Sequence, residues 1–558
     1  MLRGFLVVAV LSTVGGAVFA LLIGRRSLRP ATAVLAGLVL GFVLWVGGAL
    51  TFVPLLLGFP PLLRNFASHW SPLLAFTIDG LVTSFLYTRP LARRPGARLN
   101  YALSLTALAV ILVPVYLRAA VNTRPDLLDL PSGFRAEVAA KGFNFPTGLA
   151  FDDRGTVYVA ESGYTYGPKE YPARIVALGR DGVIREAAGG FSGPINGITW
   201  RESKLYVSHR GTLTELDPIG GARRDILTGL PSLGDHQNND VVFGPDGALY
   251  FGQGSATNAG VVGTDNFVYA WADKYRWFHD YPSRDWKLTG ENYLPLDPGT
   301  VNPVDRRPTG AFAPFGVARN ADEILPKASP ASAAIHRLDL VTGAFSIYAD
   351  GLRNPYGLCF DRDGNLYATN LGYDDRGVRA VRGSPDWVAK VKSGAWYGWP
   401  DYAGTVPLTD AGFASERGVN RQPLIADPPR VEPPLAVFPA HYSPLKLAAA
   451  PAEFPLPGLF VAIYGDGQPL TEDITAPAPT GVIRIAPATG EYEWFLKNKH
   501  KPRAGRGGDG LKRVIDVKFA PDGKAMYVLD FGLLEFTSLA PNAIPYTGVL
   551  WRITPESK

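Results

Sequence analysis

The sequence predicts an all-β six-bladed β-propeller preceded by an α-helical transmembrane region of about four helices. Two observations carry this prediction: residues 1–121 contain four long apolar stretches, and the rest of the chain repeats one strand–turn–strand phrase six times. A single unit of this kind cannot bury both of its faces, so repeated units stack or close on each other. Six units of four strands close into a propeller, which leaves only short sheet edges.

The N-terminal region is predicted to anchor the chain in the cell (inner) membrane. Most of its apolar stretches approach the ~20 residues that cross a bilayer. Arginines cluster between the first and second stretches and between the third and fourth, so both loops are expected in the cytoplasm and the propeller on the periplasmic or extracellular side. Asp79, in the third stretch, is either a functional intramembrane acid or a residue near the interface. The stretches are about 4–24, 31–57, 71–88 and 100–118.

A linker over 122–134 leads into the predicted propeller, which spans 135–558. Each copy of the repeat has an alternating apolar run, a polar turn and a second β-rich run. In four copies the turn carries Asp-Gly or Asp-Arg-Gly, the chemistry that a tight hairpin needs for positive φ. The copies occupy 145–163, 194–211, 238–255, 354–372, 443–465 and 514–532.

The spacing of the copies predicts two insertions in the propeller, near 256–350 and 376–440. The first insertion is rich in Tyr, Trp and Phe, which favours ordered packing over the propeller face. The C-terminal run TGVLWRITPESK is a candidate closing strand. The equivalent anchor positions of the copies are Gly148, Gly197, Asp240, Gly357, Lys446 and Asp516.

Composition argues against nucleic-acid binding and against an intramolecular disulfide. The formal net charge is +5, but much of it comes from arginines beside the apolar stretches, and no basic stripe indicates nucleic-acid binding. The single cysteine, Cys359, excludes an intramolecular disulfide and is expected to be a buried apolar residue.

Polar side chains precede three of the predicted inner strands at the same blade position. His236 lies in a Gly-Asp-His-Gln-Asn-Asn loop, Arg353 and Asn354 begin the fourth copy, and Arg513 precedes the sixth. Equivalent blade positions meet around the mouth of a propeller channel, so these side chains are expected to converge. An arginine–amide pair there suits a carboxylate or a developing oxyanion.

His236 is the candidate general base of this group, because an imidazole titrates near neutral pH. Asp235 or Asp240 is expected to orient its ring.

Longer motifs in the same region carry a family resemblance. They are DHQ before GPDGALYF, GLRNPYGL before DRDGNLYATNLGYDDRG, GAWYGWPDYAG, and RVIDVKFAPDGKAMYVLD, together with ENYLPLDPGTVNPVDRRPTGAFAPFG in the first insertion. Over about 130–555 the chain resembles the soluble glucose/sorbosone dehydrogenase family. The resemblance implies a six-bladed propeller that binds pyrroloquinoline quinone (PQQ) with Ca²⁺ and oxidises an aldose-type sugar or a related alcohol or aldehyde.

The resemblance also implies roles for individual residues. His236 matches the family's general base, and Arg353 and Asn354 match the pair that polarises the quinone oxygen. Arg513 matches an arginine that holds a cofactor carboxylate. Gly372 and Tyr373 fall where two backbone carbonyls bind the calcium, which suits a cation that prefers oxygen ligands.

The chain departs from the family pattern at several positions. Ile515 stands where glucose-oxidising members have a second arginine, and Asp466 lies about where they have a cofactor-binding lysine. His441 matches a histidine of the sorbosone-type relatives. The departures predict that the cofactor binds weakly or is absent.

Two other functions stay open at the level of sequence. One is a calcium-dependent lactonase-like hydrolase, with Asn239, Asp240 and Asp516 as conceivable metal ligands. The other is a non-catalytic propeller that binds a glycan or a protein, because propellers host many functions. For the dehydrogenase, the expected partners are a small sugar, membrane lipid, and membrane quinone or another electron acceptor.

Overall fold

The architecture is that of a computed structural model in which the chain divides into two compact units, one holding the N-terminal helices and the other the β-sheets. The structure describes residues 28–46, 70–86, 123–163, 171–179, 181–267, 271–300, 302, 304–416, 420–466, 478–500, 510–536 and 541–556.

Two helices, α1 (Pro30–Val43) and α2 (Trp70–Leu86), pack closely against each other. A Cβ added at Gly37 would lie 2.8 Å from Gly80 O, and one at Gly41 would lie 2.5 Å from Phe76 O. Glycine is therefore required for this contact. No helix within the described residues is both long and apolar enough to cross a membrane. The predicted stretches 4–24 and 100–118 lie outside the described residues, and the four-helix anchor stays a prediction.

Among the described residues, six antiparallel sheets of four or five strands form the blades of the second unit and confirm the six-bladed propeller. We number the blades in chain order by their innermost strand. Blades 1 to 3 contain β3 (Pro146–Phe151), β4 (Val157–Glu161), β5 (Ala173–Leu178) and β6 (Ile184–Phe191); β7 (Ile195–Arg201), β8 (Lys204–His209), β9 (Thr212–Leu216) and β10 (Arg223–Thr228); and β11 (Asn238–Phe243), β12 (Leu249–Gln253), β17 (Ala334–Leu338) and β18 (Phe345–Asp350). Blades 4 to 6 contain β19 (Leu358–Phe360), β20 (Leu366–Asn370), β21 (Asp386–Val391) and β24 (Ala436–Phe438); β25 (Pro444–Ala449), β26 (Leu459–Ile463), β27 (Gly481–Ile485), β28 (Tyr492–Asn498) and β1 (Leu128–Asp129); and β29 (Val514–Phe519), β30 (Met526–Asp530), β33 (Gly548–Pro555) and β2 (Phe134–Phe143).

The innermost strands contact one another in a closed ring, β3–β7–β11–β19–β25–β29 and back to β3. The ring closes because β2, from the start of the propeller, pairs with the C-terminal strand β33. This pairing confirms the C-terminal run as a closing strand. The predicted linker also contributes β1, which adds a fifth strand to blade 5 through Leu128 opposite Asn498.

Aromatic pairs join neighbouring blades near the hairpin turns. Each partner comes from a fixed position of the repeat: the residue before the turn of one blade meets an aromatic residue on the second strand of the preceding blade. Trp200 stacks on Tyr158 with ring centroids 5.8 Å apart, and Phe243 meets Tyr206 at 4.8 Å. Aromatic pairs of this geometry stabilise an interface beyond the area they bury. The other three pairs are Phe360–Tyr250, Phe519–Phe460 and Phe151–Tyr527.

Two inserted segments pack together as an ordered layer. The first runs from the end of β12 to the start of β17, so β17 and β18 are blade strands inside the segment predicted near 256–350. The second joins β21 to β24. Trp286, Trp396 and Trp399 share one buried cluster that also includes Tyr373. Their short elements are α3 (Trp271–Lys274), β13 (Trp286–Lys287), β14 (Asn292–Tyr293), β15 (Thr309–Gly310), β16 (Ile324–Leu325), β22 (Tyr402–Ala403), β23 (Val406–Pro407), and 3₁₀ turns at Thr264–Phe267 and Ala411–Phe413. The remaining hairpin, β31 (Leu534–Phe536) with β32 (Pro541–Ala543), lies in blade 6, and a 3₁₀ turn at Pro125–Leu127 precedes β1.

Candidate active site at one mouth of the channel

The predicted site residues lie at the amino-terminal ends of innermost strands, and hence at one mouth of the channel. His236 precedes β11, Arg353 and Asn354 precede β19, and Arg513 directly precedes β29. The strands lie in register around the ring: Leu149 N donates to Asp516 Oδ2 at 2.9 Å, across one blade boundary. Blades 3 and 4 are neighbours, and blade 6 is opposite blade 3 in the ring.

A backbone contact fixes the imidazole of His236. His236 Nδ1 lies 3.0 Å from Ser255 O and 3.3 Å from Ser255 Oγ. The carbonyl can only accept, so Nδ1 carries the proton in the neutral ring and Nε2 carries the lone pair. The predicted orienting role of Asp235 or Asp240 is wrong, because those carboxylates pair with cations elsewhere.

His236 is held in its neutral form. Burial lowers its pKa well below 6.5, and the positive charges of Arg353 and Arg376 lower it further. A histidine whose ring is neutral at pH 7 can accept a proton there, which is what a general base must do.

Asn354, which precedes the innermost strand of blade 4, lies beside His236. Asn239 Nδ2 donates to Asn354 Oδ1 at 2.7 Å, which fixes the amide with its Nδ2 donors unbonded to any described residue. A Cβ added at Gly254 would lie 2.7 Å from Asn354 Oδ1 and 3.2 Å from His236 Cγ. The glycine therefore lets the imidazole of His236 and the amide group of Asn354 lie side by side.

Arg353 is buried and serves mainly to hold this mouth together. Its Nε donates to Asn258 O at 3.0 Å, and its Nη2 donates to Asn258 Oδ1 and to Asp374 Oδ2, both at 2.9 Å. Its Nη1 donates to Gly372 O. Four of its five N–H groups are thus accounted for by protein acceptors, which leaves one for a ligand.

Sequence reasoning missed a second arginine at the site. Arg376 binds three carboxylates: Asp235 at 2.5 Å, Asp265 at 2.8 Å and Asp374 at 3.1 Å. Burial opposes ionisation of Asp374, but Arg353 and Arg376 outweigh it and hold its pKa at about 2. The signal in the sequence was the run Tyr-Asp-Asp-Arg-Gly shortly after β20, the second strand of blade 4. Charged side chains at this position can reach the channel mouth.

Arg513 lies across the mouth from His236. Its Nη1 donates to Asp466 O, and its guanidinium lies 5.2 Å from the ring centre of Tyr464. Asp466 is buried, and its carboxylate accepts from Ala478 N at 2.7 Å. Ile515, at the position where the family pattern has a second arginine, is buried and carries no charge. Arg513 is therefore the cation that the sequence predicts on this side of the channel mouth.

The carbonyl of Gly372 and the ring of Tyr373 lie beside Arg353. Gly372 O already accepts from Arg353, and Gly372 N donates to Asp386 Oδ1 at 2.6 Å. A calcium ion at this carbonyl would share it with a guanidinium. Within the described residues, no group of three or more His, Cys, Asp and Glu side chains could hold a metal ion. The calcium ligands stay a prediction, and they fit the ion only if Arg353 shifts.

The middle of the channel is filled by charged side chains. Lys446 Nζ lies 3.1 Å from Asp240 Oδ1 and 3.7 Å from Asp516 Oδ2, and all three side chains are fully buried. The two carboxylates that a hydrolytic metal would need thus converge on an ammonium. Beyond them, at the opposite mouth, is a cavity of about 800 Å³ whose lining includes Cys359 and Lys518. Cys359 is buried as predicted, and burial raises its thiol pKa to about 12.

Comparison with known proteins finds limited similarity. The chain is 26% identical over 212 residues to quinoprotein glucose dehydrogenase B from Acinetobacter calcoaceticus, and the match covers 38% of this chain and 34% of that protein's length. The holo PQQ domain of pyranose dehydrogenase from Coprinopsis cinerea superposes with a TM-score of 0.46 at 14% identity, over 76% of this chain and 97% of that one. PQQ-bound aldose sugar dehydrogenase from Streptomyces coelicolor gives a TM-score of 0.40 at 18% identity, over 76% and 99%. No family model matches the sequence.

Proposed function

We propose that this protein is an oxidoreductase that oxidises an aldose-type sugar, or a related alcohol or aldehyde, at the channel mouth that holds His236. The observation that carries the proposal is a neutral imidazole, fixed through Nδ1, beside the amide of Asn354, whose Nδ2 donates to none of the described residues. The similarity to a quinoprotein glucose dehydrogenase agrees with it.

The residues present fit PQQ in part. Asn354 Nδ2 and the remaining N–H of Arg353 are donors suited to a quinone oxygen, and Arg513 suits one carboxylate. Asp466, Asp374 and the other carboxylates of the mouth make the binding of a second PQQ carboxylate less favourable. When bound, PQQ supplies the acceptor for a hydride from the substrate carbon.

Each residue has a defined task in this proposal. His236 Nε2 takes the proton of the substrate hydroxyl, and Ser255 O stabilises the imidazolium that forms through the Nδ1 proton. Asn354 donates to the oxygen that gains charge. Burial keeps His236 neutral before the reaction, and the guanidinium groups of Arg353 and Arg376 lower the imidazole pKa further.

The test is reconstitution of the purified full chain with PQQ and CaCl₂, followed by aldose oxidation with an artificial electron acceptor. A ligand selective for the folded state raises the melting temperature, so the thermal shift reports binding independently of turnover. A folded protein with neither a thermal shift nor sugar-dependent dye reduction would contradict the proposal. A lactone-hydrolysis assay with and without chelator separates the hydrolase alternative, which the pairing of Asp240 and Asp516 with Lys446 disfavours.

We also propose that the N-terminal region anchors the protein in a membrane, with the propeller outside the cytoplasm and membrane quinone as one candidate acceptor. Four apolar stretches and the arginine-rich loops support it. The close α1–α2 contact through Gly37, Gly41 and Gly80 is of the kind that small residues allow between membrane helices. Recovery of the full chain in the carbonate-washed membrane fraction, with the propeller open to external protease, is expected.

A further inference from the structure

The first insertion reaches into the site through one buried acid, Asp280. Its side chain is 1% exposed. Its carboxylate accepts from Ala256 N at 2.6 Å, from Thr257 N at 3.1 Å and from Thr257 Oγ1 at 2.5 Å. Three donors from two consecutive residues therefore converge on one acid that lies far outside the repeat.

The segment that Asp280 holds, Gly254–Asn258, touches each residue of the proposed catalytic group. Gly254 packs on His236 and Asn354, and Ser255 O contacts His236 Nδ1. Ser255 N also donates to Arg353 O at 2.8 Å.

Asn258 completes these contacts at the far end of the segment. Its carbonyl and side-chain oxygens accept from Arg353, and its Nδ2 donates to Asp374 O at 2.9 Å and to Arg376 O at 3.1 Å. Displacement of the segment would disturb the base, the amide donor and both arginines together.

We propose that Asp280 is a positioning residue that fixes Gly254–Asn258 and thereby holds His236 with its Nε2 toward the channel mouth. The catalytic consequence rests on the proposed function, but the positioning of His236 does not. An aspartic acid side chain is needed because both of its oxygens can accept, in the ionised and in the protonated form, and three hydrogens converge on them. An asparagine would turn an NH₂ group against those donors.

Burial and hydrogen bonds shift the pKa of Asp280 in opposite directions. Burial raises its pKa to about 7 and the nearby Asp235 carboxylate adds to the rise, while Thr257, Ala256 and Ser332 oppose it. The groups that face His236 are Arg353, Arg376 and Asp374.

The test compares Asp280→Asn with Asp273→Asn in the full chain. Asp273 is an exposed acid of the same insertion and serves as the matched control. The readout is the pH dependence of diethyl pyrocarbonate labelling of His236, measured by peptide mass spectrometry, which reports the imidazole pKa without turnover.

In the native chain we expect labelling to persist well below pH 6.5. In Asp280→Asn, loosening of the segment admits water to the ring, so the midpoint rises toward 6.5, while Asp273→Asn leaves it unchanged. Under the proposed function, kcat falls by about ten- to a hundredfold with KM little changed, as expected for a misplaced base.

A second variant keeps the test decisive if Asp280→Asn fails to fold. Thr257→Val removes one donor to the acid and is expected to move the midpoint in the same direction by a smaller amount. An unmoved His236 midpoint in the folded variants overturns the positioning role. A midpoint that moves in the variants, together with a native chain that oxidises no sugar, upholds the positioning role and contradicts the proposed function.

Discussion

Lys446 is predicted to be a central stabilising residue of the propeller, because it neutralises two carboxylates from other blades in the sealed centre of the channel. Its ammonium lies 3.1 Å from Asp240 Oδ1 and 3.7 Å from Asp516 Oδ2. At an effective dielectric constant of about 20, unit charges at these distances attract by about 5 and about 4.5 kcal/mol. Desolvation of the buried charges offsets much of this, but removal of Lys446 leaves Lys518, whose Nζ lies 3.8 Å from Asp240 Oδ2, as a single cation facing two buried carboxylates.

For Lys446→Met we therefore expect the free energy of unfolding to fall by about 3–5 kcal/mol, the range for breaking a buried pair. Guanidinium unfolding followed by tryptophan fluorescence measures it. Lys524→Met is the matched control, since Lys524 is exposed in a turn of blade 6. A Lys446→Met chain as stable as the control would refute this reasoning.

The same variant has a predicted pH dependence. Burial raises the pKa of Asp516 to about 6 even though Lys446 opposes the rise. A raised folded pKa means that ionisation of this acid costs stability as pH increases through about 6. Without Lys446 the pKa rises further, so the variant loses more stability at pH 8 than at pH 5. A larger loss at pH 5 would contradict the assignment.

Three further predictions concern the blades and the site. Trp200→Ala removes the stack on Tyr158 and should cost about 3 kcal/mol of unfolding free energy, whereas Trp277→Ala, at a residue 53% exposed, should cost almost none. Gly254→Ala drives a methyl group into His236 and should lower the proposed activity at least tenfold while the far-UV spectrum stays native. Unchanged activity would show that His236 and Asn354 do not pack on Gly254. The acid limb of the pH–rate profile should lie well below 6.5, because burial lowers the His236 pKa, and a limb at or above 6.5 would contradict a buried base.

The sequence could predict the propeller because its signals are local and repeated. Each copy carries its own turn chemistry and apolar alternation, and the anchors Asp240, Lys446 and Asp516 do meet at one level of the channel. The pairing of β2 with β33 is the least local contact of the fold, and no short pattern encodes it. The strands β17 and β18 were not predicted for the same reason, because a long insertion separates them from the first two strands of their blade.

The site was predicted where it depends on the repeat and missed where it depends on insertions. His236 and Asn354 were expected to lie close together because each precedes an inner strand, and both do pack on Gly254. Ser255, Asn258 and Asp280 act through backbone contacts across long sequence separations, which no spacing reveals. The pairing of Asp235 was misassigned because Arg376, its partner, arrives from a different blade.

The central claim, that this mouth of the channel oxidises a sugar through His236, is tested most directly by single-turnover reduction of bound PQQ by an aldose, compared between the native chain and His236→Ala. We predict that both proteins show the cofactor-dependent thermal shift and that only the native chain reduces the cofactor at an appreciable rate. Reduction at the native rate by His236→Ala, or none by a cofactor-loaded native chain across the aldose panel, would contradict the account.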